Sequence, residues 1–128
     1  MTKTAKDFVA DAKKSVSATT PTDARADADA DRAIILDVRE AAELSAEGKP
    51  AGSVHVPRGL LEFKADPNID TAEEALTTAK AQGRKVHVLC ASGGRAVLAA
   101  QTLNAMGYDA TVIEGGLKGW KEAGLATS

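Results

Sequence analysis

One cysteine in 128 residues excludes an intrachain disulfide and a Cys-rich zinc site. The two histidines, His55 and His87, are too few to supply the missing ligands, so no metal site is expected. A formal net charge of -2 argues against nucleic acid as a default partner. No stretch approaches the roughly 20 apolar residues of a membrane span. The opening Met1-Thr2-Lys3-Thr4-Ala5-Lys6-Asp7-Phe8 lacks the apolar core of a secretory signal. The expectation is a cytoplasmic protein with no membrane partner, where an unpaired thiol stays reduced. The length suits one domain, large enough to fold without covalent staples.

What the chain does contain is a cysteine in an informative place. The apolar run Val86 to Leu89 is short and β-branched, as a buried strand is. Ala96 to Met106 is rich in Ala and Leu and reads as a helix. Between them runs Cys90-Ala91-Ser92-Gly93-Gly94-Arg95, a small-residue loop with a thiol at its start and a guanidinium at its end. Such a loop can turn several N–H groups toward one point, and the following helix adds its positive end. Both favour a thiolate. A shift of one pKa unit needs only about 1.4 kcal/mol, of which a helix end supplies roughly 0.3–1 kcal/mol. Charge is distributed unevenly around this loop. Asp23 to Glu47 carries eight acids against Arg25, Arg32 and Arg39, whereas Lys80 to Tyr108 has four cations and no acid. That pattern is either a solvated face or a preference of the thiol region for a small anion.

Strand and helix patterns alternate along the chain. Thr4 to about Val16 predicts a helix with Phe8, Val9, Ala12 and Val16 on one face. Ser17 to Pro21 is a break, and Thr22 to Asp31 a short helix. A strand follows from Ala33 to Leu36, ending at Asp37, then a helix from Glu40 to Glu47 and a strand from Ser53 to Val56. Arg58 to Asp70 reads as a connection. Thr71, with Glu74, is the expected N-cap of a helix to Gln82. The Cys90 strand, loop and helix come next, then a strand from Ala110 to Ile113 and a last helix around Trp120. This order predicts an α/β fold, an open, mainly parallel sheet with helices on both faces. The organisation expected is an N-terminal helical segment, 1–30, and a domain, 31–128, within one compact unit. Ligands of such sheets bind beyond the carboxyl ends of the strands, where both Cys90 and Asp37-Val38-Arg39 fall.

Four segments in order resemble the single-domain rhodanese-like sulfurtransferases. They are Leu36-Asp37-Val38-Arg39-Glu40 with Glu43; Gly48-Lys49-Pro50-Ala51-Gly52-Ser53-Val54-His55-Val56-Pro57; Val88 through Ala96 around Cys90; and Glu114-Gly115-Gly116-Leu117-Lys118-Gly119-Trp120. Lys49 stands where the second signature usually has histidine. The resemblance covers roughly Asp31 to Leu125 and implies a rhodanese-like sheet. It also implies transfer of a sulfane sulfur from a small anionic donor, such as thiosulfate, to cyanide or a thiol, possible acceptors including a thioredoxin-like or other protein thiol. Cys90 would carry the sulfur as a persulfide, with no metal or organic cofactor.

The candidate site is therefore Cys90 as nucleophile, with Ala91, Ser92, Gly93, Gly94 and Arg95 around the substrate. Gly93 and Gly94 let the backbone curl, and Ser92 offers a hydroxyl donor. Arg95 either holds an anionic donor or ties the loop to the domain. Arg58, after a strand-ending proline, is a further anion contact. Asp37 and Arg39, with Glu43, are expected to frame the loop from beneath. His87 and Cys90, three apart on a strand, face opposite ways and form no Cys–His pair. Three other functions compete: a sulfur-relay protein, a non-catalytic interaction module, and a cysteine phosphatase or arsenate reductase. The last usually has five residues between Cys and Arg; here there are four, Ala91 to Gly94.

Overall fold

A computed structural model describes residues 2–128. Five parallel strands form one sheet: β1 Ala18–Thr19, β2 Ala33–Asp37, β3 Val54–His55, β4 Lys85–Leu89 and β5 Ala110–Ile113, in the order β1-β5-β4-β2-β3. The helices are α1 Ala5–Lys13, α2 Pro21–Asp29, α3 Ala41–Glu47, α4 Leu61–Ala65, α5 Glu74–Ala81, α6 Gly94–Ala105 and α7 Gly116–Glu122. Parallel strands need crossovers, and these cover both faces. No described helix is long and apolar enough to cross a membrane.

Strand alternation divides the core in two. Val86 and Val88 of the central β4, and Cys90 just after it, point into the larger cluster, with Leu36 of β2, Leu76 of α5, and Ala96, Ala100 and Leu103 of α6. Leu89 points the other way, with Ile35, Ile113, Ala24 of α2, and Leu117 and Trp120 of α7. His87 shares that second face, buried between Thr111 Oγ1 and Asp27 of α2. The Asp27 carboxyl is held below its usual range, chiefly by its hydrogen bond with His87. Thus α2 is pinned to the sheet by a polar bridge as well as by apolar contact.

Three local expectations change. The Ser17–Pro21 break contains β1, whose two residues pair with Val112 and Ile113 of β5. Phe8 is 52% exposed, because it lies on the flank of the stripe whose Val9, Ala12 and Val16 pack on the larger cluster. Thr71 caps nothing: its carbonyl accepts from Lys64 Nζ at 2.9 Å, and α5 begins later, after Glu73. The segment before α5 is held instead to α4, which lies inside the stretch read as a connection.

Beneath the carboxyl ends of the strands is a buried ion pair. Asp37 closes β2, and Arg39 two residues on folds back so that Nη2 lies 2.7 Å from Asp37 Oδ2 and Nε 3.0 Å from Oδ1. Both side chains are fully buried. Arg39 Nη2 also donates to Gly48 O at 2.7 Å, and its carbonyl contacts His55 Nε2 at 2.7 Å. The Arg39 guanidinium is held above its ordinary range, first by its hydrogen bonds to Asp37. The pair fixes the turn from β2 toward α3 and the loop leading to β3. Removing one member leaves a buried charge unmatched. Asp37→Ala is expected to cost about 3–5 kcal/mol, read from the shift of a urea unfolding curve; a loss under about 1 kcal/mol would show that Arg39 escapes to solvent.

Candidate active site

The loop after β4 curls back over its own sulfur. Gly93 N–H donates to Cys90 Sγ at 2.9 Å, and Ala96 N–H, in the first turn of α6, donates at 3.3 Å. Gly93 has φ +119°, a region that L side chains rarely adopt, so glycine serves the turn here. Cys90 itself is only 1% exposed. Ser92 is exposed on the rim, and its hydroxyl is not among the described donors to the sulfur. Backbone N–H groups fill that role.

Arg95 ties the loop to the domain. Its Nη1 and Nη2 donate to Glu43 Oε1 and Oε2 at 2.6 and 2.9 Å, a bidentate pair between the start of α6 and α3. Glu43 Oε1 also accepts from Glu40 N–H at 3.0 Å, at the head of α3. The Arg95 guanidinium holds the Glu43 carboxyl down at about 2. Glu43 in turn raises Arg95, with the Cys90 sulfur acting in the same sense. Arg58 is placed elsewhere. It donates to Glu62 at 3.0 Å and to Thr102 Oγ1 at 3.2 Å. Thr102 lies roughly 10 Å along α6 from Arg95 at 1.5 Å rise per residue. The structure therefore gathers Cys90, Ala91, Ser92, Gly93, Gly94 and Arg95 in one loop and leaves the Arg58 guanidinium on the flank of α6.

Gly116 is the positional requirement that residue-by-residue reading missed. At φ +58° it packs so tightly that an added Cβ would lie 2.3 Å from Ala91 O and 2.4 Å from Cys90 O. Leu117 N–H then donates to Cys90 O at 2.9 Å. The Gly115-Gly116 pair reads in sequence only as a turn into α7. Its second task, close backbone approach to the cysteine, has no signal except that two glycines stand together.

A family model for the rhodanese-like domain matches residues 20–123, and the chain belongs to that family. Among solved structures, a protein of unknown function from Rhodopseudomonas palustris, described as a possible tyrosine phosphatase, is 33% identical. That match covers 100% of this chain and 96% of that one, with TM-score 0.88. A polysulfide-sulfur transferase homodimer from Wolinella succinogenes is 30% identical over 96% of this chain and 85% of that one, with TM-score 0.73. A human single-domain sulfurtransferase is 24% identical over 84% of this chain and 95% of that one, TM-score 0.62, a likeness of fold alone. No curated protein matches the chain.

Two outcomes test the loop's anchoring. The depressed Glu43 carboxyl contributes stability that is fully present above its ordinary value of 4.5 and is lost as pH falls through about 2. The gap in urea midpoint between the wild type and Glu43→Gln is therefore expected to be constant near neutral pH and to close below pH 4.5. A gap that persists unchanged at low pH would assign the effect to packing. Gly116→Ala is expected to cost at least about 2 kcal/mol and to shift the amide resonances of Cys90 and Ala91. Unmoved resonances with unchanged stability would disprove the close approach.

Proposed function

We propose that this rhodanese-like chain is a sulfurtransferase that carries a sulfane sulfur as a persulfide on Cys90. The observation carrying the reading is the pair of backbone N–H groups on Sγ at 2.9 and 3.3 Å. They stabilise negative charge on the sulfur without a basic side chain, so nucleophile and anion support come from one loop. The relatedness to a polysulfide-sulfur transferase supports the same chemistry.

In the loading step, the Cys90 thiolate attacks the outer sulfur of a donor. The Sγ–S bond forms, the donor's S–X bond breaks, and X leaves with the electron pair; thiosulfate would release sulfite. In the second step an acceptor thiolate, or cyanide, attacks the carried sulfur. That bond forms as Sγ–S breaks, and the electron pair returns to Cys90. Neither step requires an outside oxidant. The donor class is a small anionic sulfur compound. The acceptor is a thiol or cyanide, with a thioredoxin-like or other protein thiol in the sulfur-relay version. The recessed thiol suits passage of a single terminal atom.

The phosphatase reading draws on the relative from Rhodopseudomonas palustris. Two features weigh against it here. Four residues, not five, separate Cys90 and Arg95. Both terminal nitrogens of Arg95 are already committed to Glu43, leaving the guanidinium turned toward α3. A phosphate in the loop would have to share that guanidinium with the Glu43 carboxylate.

Incubation of the reduced protein with thiosulfate, mercaptopyruvate or inorganic polysulfide is expected to add the mass of one sulfur atom, removed by cyanide or dithiothreitol. Cys90→Ser is expected to gain none while keeping its fold. Sulfur retained in Cys90→Ser, or none taken up by the wild type from any of the three, would overturn the proposal.

A further inference from the structure

Arg95 closes the Cys90 loop, and the residue after it, Ala96, donates its N–H to the sulfur at 3.3 Å. A free cation there would add a full positive charge to a spot already served by N–H groups. Glu43 cancels it. The carboxylate takes both terminal nitrogens at 2.6 and 2.9 Å, and the pair carries no net charge. Glu43 is held in place from its own helix as well. It is the third residue of α3, where Oε1 also accepts from Glu40 N–H at 3.0 Å. Its carboxyl, held down at about 2, is ionised throughout the neutral range. A partly exposed pair of this kind contributes little to stability. At the loop it nevertheless removes a whole unit of charge.

The neighbouring cations are balanced too. Arg39 is buried against Asp37, and Arg58 donates to Glu62. The cleft beside the loop brings Lys13 and Glu114, one charge of each sign. These groups leave the approach to Cys90 with N–H donors and no excess positive charge. Backbone N–H groups support the single charge of a thiolate. A doubly charged oxyanion gains most from a guanidinium whose fork is open to it, and here the fork is occupied.

We infer that Glu43 is a specificity-determining residue: by holding Arg95 in a neutral pair, it disfavours sulfur donors that carry two negative charges relative to those that carry one, a role that rests on the sulfurtransferase reading. Its hydrogen bonds go to Arg95 and Glu40, so it is a positioning residue acting through Arg95. Two donors separate charge from chemistry. Thiosulfate carries two negative charges; methanethiosulfonate, with a methyl in place of one oxygen, carries one. With either, the Cys90 thiolate attacks the outer sulfur and the Sγ–S bond forms. The donor's sulfur–sulfur bond breaks, and the electron pair leaves with sulfite or methanesulfinate. The same bonds form and break, so the ratio of the two rates measures charge selection at the loop.

That ratio, kcat/KM for methanethiosulfonate over kcat/KM for thiosulfate, is measured at constant ionic strength with cyanide as the common acceptor. In Glu43→Gln it is expected to fall about tenfold, because Arg95 keeps its charge and loses its partner. In Arg95→Gln it is expected to rise, because the Glu43 carboxylate is then the unmatched charge. A loop that is merely loosened slows both donors alike. An unchanged ratio, or a shift of the same sign in the two variants, therefore overturns the inference. Inorganic sulfate, which gives up no sulfur, tests the charge alone. Titrated into isotope-labelled, reduced protein, it is expected to shift the Gly93 and Ala96 amides at about tenfold lower concentration in Glu43→Gln than in the wild type. Equal sulfate affinity in the two proteins also overturns the inference. If sulfate binding tightens as expected yet no donor loads Cys90, the sulfurtransferase reading fails and the control of charge by Glu43 stands.

Discussion

The carbonyl oxygens of Cys90 and Ala91 occupy the space that a side chain on Gly116 would need. That backbone contact joins the two halves of the fold at the thiol. Cys90 points into the α6 side of the sheet, whereas α7 packs on the other face around Trp120. With Leu117 N–H on the Cys90 carbonyl, the peptide at the cysteine is clamped from below while Gly93 and Ala96 reach its sulfur from above. The direction of Sγ is therefore set by main chain on both sides. Side-chain changes at the rim can alter what approaches the sulfur without turning it.

Charge is arranged in two tiers with different energetics. Asp37 and Arg39 are wholly buried, so their attraction acts at low dielectric but offsets a desolvation cost of several kcal/mol per ion. Their value lies in the geometry they impose on the turn from β2 toward α3. Arg95 and Glu43 are partly exposed, at 37% and 29%, and a pair of that kind is worth much less. Its two parallel hydrogen bonds still limit how α6 can rotate against α3. The strong pair shapes the frame, and the weaker pair fastens the loop to it. Such a division leaves the loop over the enclosed sulfur more lightly held than the frame beneath it.

Much of this was legible because it is periodic or punctuated. The apolar alternation of Val86, Val88 and Cys90 against Leu89, the glycines after α3, α5, α6 and α7, and the spacing of Cys90 and Arg95 all state local facts that tertiary contacts did not override. What was not legible depended on distant partners. β1 has two residues and exists because β5 offers Val112 and Ile113 as an edge. Thr71 has the chemistry of a cap, but Lys64 takes its carbonyl and α5 starts further on. Arg58 reads as an anion contact from its place after Pro57; Glu62 and Thr102, four and forty-four residues away, claim its guanidinium. The pairing of Arg95 with Glu43 bridges 52 positions and has no local signature.

The N-terminal segment adds to the family framework without altering the loop around Cys90. The family match begins at residue 20, after α1 and β1. The loop, the buried pair and the glycine contact all lie within the matched region, and each acts on the sulfur or its backbone. Among the described residues α1 touches none of those atoms through hydrogen bonds, yet it packs against the start of α6, and its end lines the same cleft as Ser92 and Gly93. Because it is anchored by apolar contacts at Val9, Ala12 and Val16, its polar face is free to vary without unsettling the core.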